Sequence, residues 1–438
     1  MIGIDFGTTN STVAAVSTAG EVRFASYTTN NGDAKSGADP LFRSALYFPD
    51  PEIVEADTPY VYLGREAVEH YEAAPESGRL IKSLKTFLTA ETINTRIHGK
   101  EWTLDALLAL LVRQLVKFSE SALGKLEGPI VIGRPVNFVH QRGPADEERA
   151  LGRIRAAFAK AGINDISFEY EPIAAAYTYE ATLDHDEVVL VGDFGGGTSD
   201  FSVVQVGPRS KSKAASERVL ARGGLGIAGD VLDGRVLYHA ACPLLGLGRQ
   251  CRNSLTGAVS DVPRWFYSHL SDPARHFMLR EPKSLALLGR CLSEAQDERT
   301  KRQLENFETV VVEGLSYQLF HRASYTKAEI STAAQTDFAF DWDTLRLKTP
   351  VQKSAFERWI APDVVKIMQV VDDMLGAASL KLADIDRVFL TGGSAQVPLI
   401  RQAFVRKFGD EKIARLQGFF TSVAEGLARR AQQLATPP

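Results

Sequence analysis

Gly3-Ile4-Asp5-Phe6-Gly7-Thr8-Thr9-Asn10-Ser11 and Gly192-Asp193-Phe194-Gly195-Gly196-Gly197-Thr198-Ser199-Asp200 decide how this chain is read. In each stretch an apolar, β-rich run delivers an aspartate, a Gly-rich turn follows, and a second alternating run leaves the turn. Asp5 and Asp193 lie 188 positions apart, at corresponding points of two halves of similar size. A turn built from Gly, Thr and Ser exposes backbone N–H groups and hydroxyls, donors that suit phosphate oxygens. The adjacent aspartate supplies a carboxylate able to hold a hydrated magnesium ion or to orient a water. Two such turns facing each other would clamp a nucleotide polyphosphate between two lobes.

The bulk properties narrow the class. With 438 residues the chain has room for two or more domains, each with its own core. An apolar content of 45% and a charged content of 24% are those of an ordinary globular protein. A net charge of -4 gives no reason to expect nucleic acid as a partner. Cys242, Cys251 and Cys291 show no metal spacing and read as reduced thiols, and the eight histidines show no ligand spacing either. The chain enters a strand directly after Met1, without a basic leader, and no apolar run reaches the length of a membrane span. A cytoplasmic protein with no membrane contact is expected.

Periodicity places most elements. Glu21 to Tyr27 and Ser44 to Phe48 read as short strands, with the polar stretch Asn30-Asn31-Gly32-Asp33 between them. Leu63 to Tyr71 and Leu104 to Leu123 read as helices, the second strongly amphipathic because its leucines recur at three- and four-residue intervals. Pro129 to Val136 is a buried-type strand, Asp146 to Gly162 a helix stopped by glycine, and Ile166 to Tyr170 a strand. Glu171-Pro172 opens an Ala-rich helix, where proline suits the first turn. The second half restarts at Glu187, and its hairpin ends near Val206. Pro208 to Gly226 reads as a loop or a loosely held strand pair, Asp230 to Ala241 as helical, and Cys242 to Arg290 shows no clear pattern. One or two helices are expected within Asp297 to Ala334, others over Ile360 to Ala378, Val397 to Phe408 and Ser422 to Leu434, and a buried strand over Arg387 to Leu390. Strands alternating with helices in two halves predict an α/β architecture.

Five segments, in order, resemble the nucleotide-binding domain of the DnaK-type heat-shock chaperones, within the actin and sugar-kinase superfamily. They are Gly3 to Ser11, Val131-Ile132-Gly133-Arg134-Pro135, Tyr170-Glu171-Pro172-Ile173-Ala174-Ala175-Ala176, Asp193 to Asp200, and Phe389-Leu390-Thr391-Gly392-Gly393-Ser394. Such an ordered combination is far more specific than a lone motif. The chain looks most like the YegD-like branch of short chaperone homologues, which stop near the end of the ATPase domain. The resemblance implies a two-lobed actin-like ATPase fold built from duplicated ribonuclease-H-like domains, with ATP or ADP and magnesium in the cleft between the lobes. The expected boundaries are residues 1–182 for the first lobe, completed by a C-terminal helix at about 415–438, and 183–414 for the second. No peptide-binding domain is expected after Pro438.

What the resemblance implies for single residues follows the matched motifs. Gly7, Thr8, Thr9 and Asn10 look like the first phosphate loop, and Gly195, Gly196, Gly197 and Thr198 like the second. Asp5 and Asp193 resemble the carboxylates that hold magnesium through its waters, and Asp200 follows at the family's spacing. Glu171 resembles the acid that orients the attacking water, although an acid before Pro172 also suits any helix N-terminus. Pro135 and Arg149 resemble a relay that reports nucleotide state, and Arg149 reads equally well as a helix-face ion-pair residue. Gly229, Lys327, Ser331, Gly392, Gly393 and Ser394 match adenosine contacts, while Ser324 and Ala328 stand where the family has an acid and an arginine. The catalytic lysine lies in Ile81-Lys82-Ser83-Leu84-Lys85, where spacing favours Lys82 over Lys85. Lys82, Glu171, Asp193 and Thr198 are thus the expected catalytic set.

Three functions fit this reading. The first is a slow magnesium-dependent ATPase, a nucleotide-driven switch acting with a client or co-chaperone protein. The second is a small-molecule phosphotransferase of the sugar-kinase type. The third is a non-hydrolysing nucleotide-binding scaffold or filament subunit.

Overall fold

The computed structural model describes residues 1–26, 39–51, 60–73, 78–180, 183–210, 215–253, 256–414 and 421–435. The polar stretch 30–33, residues 211–214 of the expected loop and 415–420 and 436–438 of the expected closing segment lie outside the described residues.

Two sheets repeat one strand order. In the first, Ile2–Asp5 runs antiparallel to Asn10–Val16, which pairs on with Val22–Phe24. On its other side Ile2–Asp5 runs parallel to Ile130–Arg134, which runs parallel to Ser167–Tyr170. In the second, Glu187–Phe194 runs antiparallel to Ser199–Val206, itself paired with Val219–Leu225. On the other side come the parallel strands Arg387–Thr391 and Ile413–Ala414. Asp5 and Asp193 therefore end equivalent central strands. Ligands of α/β sheets bind outside such carboxyl ends. Both central strands are buried along nearly their whole length, which is why they read as unbroken apolar runs rather than alternating ones.

Helices cover these sheets. Leu104–Leu123 starts where Thr103 accepts a hydrogen bond from the Ala106 N–H (3.2 Å), and its buried leucines 104, 107, 108, 111 and 115 join the first core. Glu171–Glu180 and Ser422–Ala435 pack on each other, and a cluster including Ile173, Ala176, Val189, Val191, Phe389 and Leu427 ties them to strands of both sheets. Ser422–Ala435 also lies directly on Ile2–Asp5. A Cβ at Gly3 would collide with the backbone of Ala424 and Ala428, so only glycine permits this approach.

Most expected elements appear within a few residues of their predicted ends. Three regions differ. Pro208 to Gly226 contains a full strand, Val219–Leu225, bonded along Ser199–Val206 with an irregularity at Val203/Val204. The sequence left this segment open between a loop and a loosely held strand pair, because Gly223 and Gly224 weaken the strand signal. Cys242 to Arg290 holds the ribbon Gln250–Arg252/Val259–Asp261 and helices Arg264–Leu270 and Pro282–Ser293. Most of these are too short for periodicity to register. Third, Gln335–Trp342 and Leu345–Gln352 form a hairpin turned at Asp343 (φ 44°), after helices Glu298–Val312 and Ser316–Thr332. The three cysteines are free and buried. No helix among the described residues is long and apolar enough to cross a membrane.

Candidate functional site

The two Gly-rich turns meet. In the first, the Gly7 N–H donates to Ser11 Oγ (3.2 Å), while Ser44 Oγ donates to the Gly7 carbonyl (3.0 Å) and the Ser44 N–H to the Thr9 carbonyl (2.9 Å). In the second, the Gly195 N–H donates to the Thr198 carbonyl (3.0 Å). The start of helix Gly229–Val236 braces that turn, through Gly229 N–H to the Gly195 carbonyl (3.2 Å) and Asp230 N–H to the Gly196 carbonyl (2.7 Å). A Cβ placed on Gly196 would stand 2.6 Å from Thr9 Oγ1, so the turns face each other at contact distance. Thr8, Gly197 and Asp230 open into one cavity of about 1470 Å³, whose farther wall includes Lys82, His276 and Tyr317.

Four carboxyl groups gather beside the turns. Asp193 and Asp200 are cross-strand neighbours of one hairpin. Thr391 Oγ1 donates to Asp193 Oδ1 (2.9 Å) and Thr198 Oγ1 to Asp200 Oδ2 (2.8 Å). Glu171, the first residue of its helix, accepts from Lys85 Nζ at 2.8 Å, with side chains only 15% and 11% exposed. Burial pushes Asp5 up to about 8, with the Glu171 and Asp193 charges adding to it and Lys85 opposing. Burial likewise raises Asp193, and it lifts Asp200 to about 7. For Lys85, burial works against the ammonium, but Glu171, Asp5 and Asp193 outweigh it and hold it above the ordinary lysine value. The cluster thus carries more buried carboxylate than its one lysine neutralises.

The lysine in this cluster is Lys85, not the Lys82 that spacing favoured. Strand Gly78–Lys82 ends at Ser83, which takes a left-handed conformation (φ 60°), and the short helix Leu84–Phe87 then turns Lys85 toward Glu171. Lys82 instead donates to Tyr317 Oη (2.8 Å), its ammonium 4.2 Å from the ring centroid. A single left-handed serine is invisible to residue counting.

The remaining expected contacts divide. Gly392 (φ 82°) packs on the Phe194 carbonyl so closely that a Cβ would overlap it, which fixes the turn Gly392-Gly393-Ser394 against the second Gly-rich turn. Lys327 forms an ion pair with Asp233 (2.8 Å) and reaches the Gly229 carbonyl (3.4 Å), while Ser331 Oγ donates back to the Lys327 carbonyl (2.7 Å). Pro135 shares a small pocket with Glu171, Asp193, Asp200 and Thr391. Arg149 stays outside it, held by Asp146 Oδ1 and the Thr89 carbonyl, both at 2.7 Å. Sequence reasoning missed the bracing residues Thr391, Ser44 and Asp233. Thr391 alone carried a signal, as the last residue of a buried strand before a Gly-Gly turn.

A family model described as Hsp70 protein matches residues 77–219 and 308–434, more than half of the chain. The chain therefore belongs to the Hsp70 family. Its repeated α/β sheets and paired turns are those of an ATP-binding, chaperone-like nucleotide-binding region. The first turn and Gly229 fall outside the matched residues. Their place in the site rests on the contacts of Thr9 with Gly196 and of Gly229 with Gly195.

Proposed function

We propose that this chain is a slow, magnesium-dependent ATPase in which two lobes, divided near residue 182 with the first completed by the C-terminal helix, close on ATP. The observation that carries this reading is the meeting of the two turns, Thr9 against Gly196, beside a surplus of buried carboxylates. Backbone N–H groups of both turns, with the Thr8 and Thr198 hydroxyls, would take up phosphate oxygens. The donor set fits a divalent cation. Burial drives Asp5 up to about 8, the Glu171 and Asp193 charges add to it, and a cation beside these groups would offset that cost. Asp5 and Asp193 would hold magnesium through water, and magnesium would neutralise charge on the phosphates.

Lys85 and Glu171 are the pair that would set a water in line with the terminal phosphorus. Lys85 occupies one Glu171 oxygen, Oε1, and leaves Oε2 to accept a proton from that water. Thr391 fixes the rotation of Asp193, and Thr198 is oriented by its bond to Asp200. Catalysis of this kind is positioning and electrostatics, as expected for phosphoryl transfer. Hydrolysis would then shift the balance between two lobe arrangements, read by a client or co-chaperone protein.

A second reading is favoured by one feature. The cavity beyond the turns exceeds the roughly 300–1,000 Å³ usual for a small-molecule site, leaving room for a phosphoryl acceptor beside a nucleotide. Phosphate release from magnesium ATP by wild-type protein and by Asp193→Ala separates the readings. Slow release without an acceptor, absent in the variant, supports the ATPase. ATP binding with no release would move the assignment to the phosphotransferase.

A further inference from the structure

Helix Ser316–Thr332 carries three side chains able to hydrogen-bond a nucleoside on the face toward helix Gly229–Val236, namely Ser324, Lys327 and Ser331. All three are already engaged by the protein. One buried residue, Asp233, takes two of them. Its carboxylate pairs with Lys327 Nζ at 2.8 Å and also accepts from the Ser324 hydroxyl. With side-chain exposures of 6% for Asp233 and 13% for Lys327, the ion pair is largely shielded from water. Ser331 spends its hydroxyl proton on the Lys327 carbonyl (2.7 Å) within its own helix.

The neighbouring turn offers no more. Ser394 is 3% exposed, and its Oγ lies against Gly229, 3.0 Å from where a Cβ there would stand. The space available to a ligand has the same asymmetry. The large cavity is lined by Thr8, Gly197 and Asp230 of the phosphate end, whereas Lys327, Ser331 and Gly392 to Ser394 do not line it. Drawing Lys327 away from Asp233 would leave a buried carboxylate without its cation, so a nucleoside gains little by recruiting it.

We propose that this site recognises the triphosphate chain and discriminates weakly among nucleobases, so that its ligand class is a magnesium-bound polyphosphate with a tolerated nucleoside rather than ATP specifically. This rests on the reading of the two turns as the phosphate site. Specificity arises when a site leaves polar groups unpaired unless the right ligand fills them. Here Asp233 satisfies Lys327 and Ser324, and the Lys327 carbonyl takes up Ser331.

The test is calorimetric titration of the full chain with magnesium ATP, magnesium GTP and magnesium tripolyphosphate, at one ionic strength. The expected result is three dissociation constants within about fivefold of one another, the worth of a single net hydrogen bond. ATP binding more than about tenfold tighter than GTP or tripolyphosphate would overturn the proposal while leaving the phosphate site standing. Absence of binding by all three would instead refute the phosphate site, and the proposal with it. Competition of tripolyphosphate with a fluorescent ATP analogue would show that the ligands share one site, and lack of competition would count against the proposal.

Discussion

Replacing Lys85 by methionine is the sharpest perturbation of the carboxylate cluster. The substitution keeps most of the side-chain volume and removes the only cation that touches Glu171 among the described residues, at 2.8 Å. Both partners are nearly buried, at 11% and 15% exposure, so solvent screens the pair poorly. Removing one member of such a pair costs about 3–5 kcal/mol, because the remaining charge is left without a partner. Lys82→Met is the control. It removes one bond to Tyr317 and a cation–π contact, together worth about 1–2 kcal/mol. Urea unfolding at pH 7 reads the difference, and a series toward pH 4 tests its cause. As pH falls, protonation of the carboxyls removes the charge that Lys85 compensates, so the Lys85→Met deficit should shrink. Phosphate release should be lost in Lys85→Met and kept in Lys82→Met. Equal losses of stability in the two variants, or a Lys85→Met deficit indifferent to pH, would refute the assignment of Lys85 to this cluster.

Two further outcomes follow from single residues. Gly392→Ala forces a Cβ into the Phe194 carbonyl at a φ of 82° and should destabilise by about 2 kcal/mol or more, measured by thermal unfolding, with nucleotide binding falling alongside. His276 has its ring pushed down to about 4 by burial, its Nε2 bonded to the Leu270 carbonyl. The unfolded chain therefore binds a proton that the folded one refuses between pH 6.5 and 4, and stability is lost as pH falls through that window. His276→Asn should abolish up to about 3 kcal/mol of that acid sensitivity, read as the difference in unfolding free energy between pH 7 and pH 4.

How far the sequence exposes this site depends on where each residue's constraint lies. The two turns were readable as turns because their requirement is local: glycines and hydroxyls between apolar strands mark a tight hairpin. Helix Leu104–Leu123 was readable because its leucines keep helical period over twenty residues. The choice of Lys85 over Lys82 was not, because Ser83 adopts a left-handed conformation that nothing in its neighbours announces. Asp233 was not, because its meaning comes from Lys327 and Ser324, more than ninety positions away. Strand Val219–Leu225, which extends the second sheet by pairing with Ser199–Val206, was left open between a loop and a strand pair because its glycines weaken the signal. Residues whose role is set by distant partners leave no periodic trace.

The seat of helix Ser422–Ala435 on Gly3 bears on how the chain reaches this structure during synthesis. Ribosomes add about 5–20 residues per second, so Gly3 emerges roughly 20–85 s before Ala428 exists to cover it. Strand Ile2–Asp5 can meet Asn10–Val16 early, but its flank stays open until the last helix arrives. Contacts between such distant segments are slow to form. The step that completes the cover of the first sheet therefore waits for this helix, and until it happens the Asp5 end of the candidate site has no fixed support.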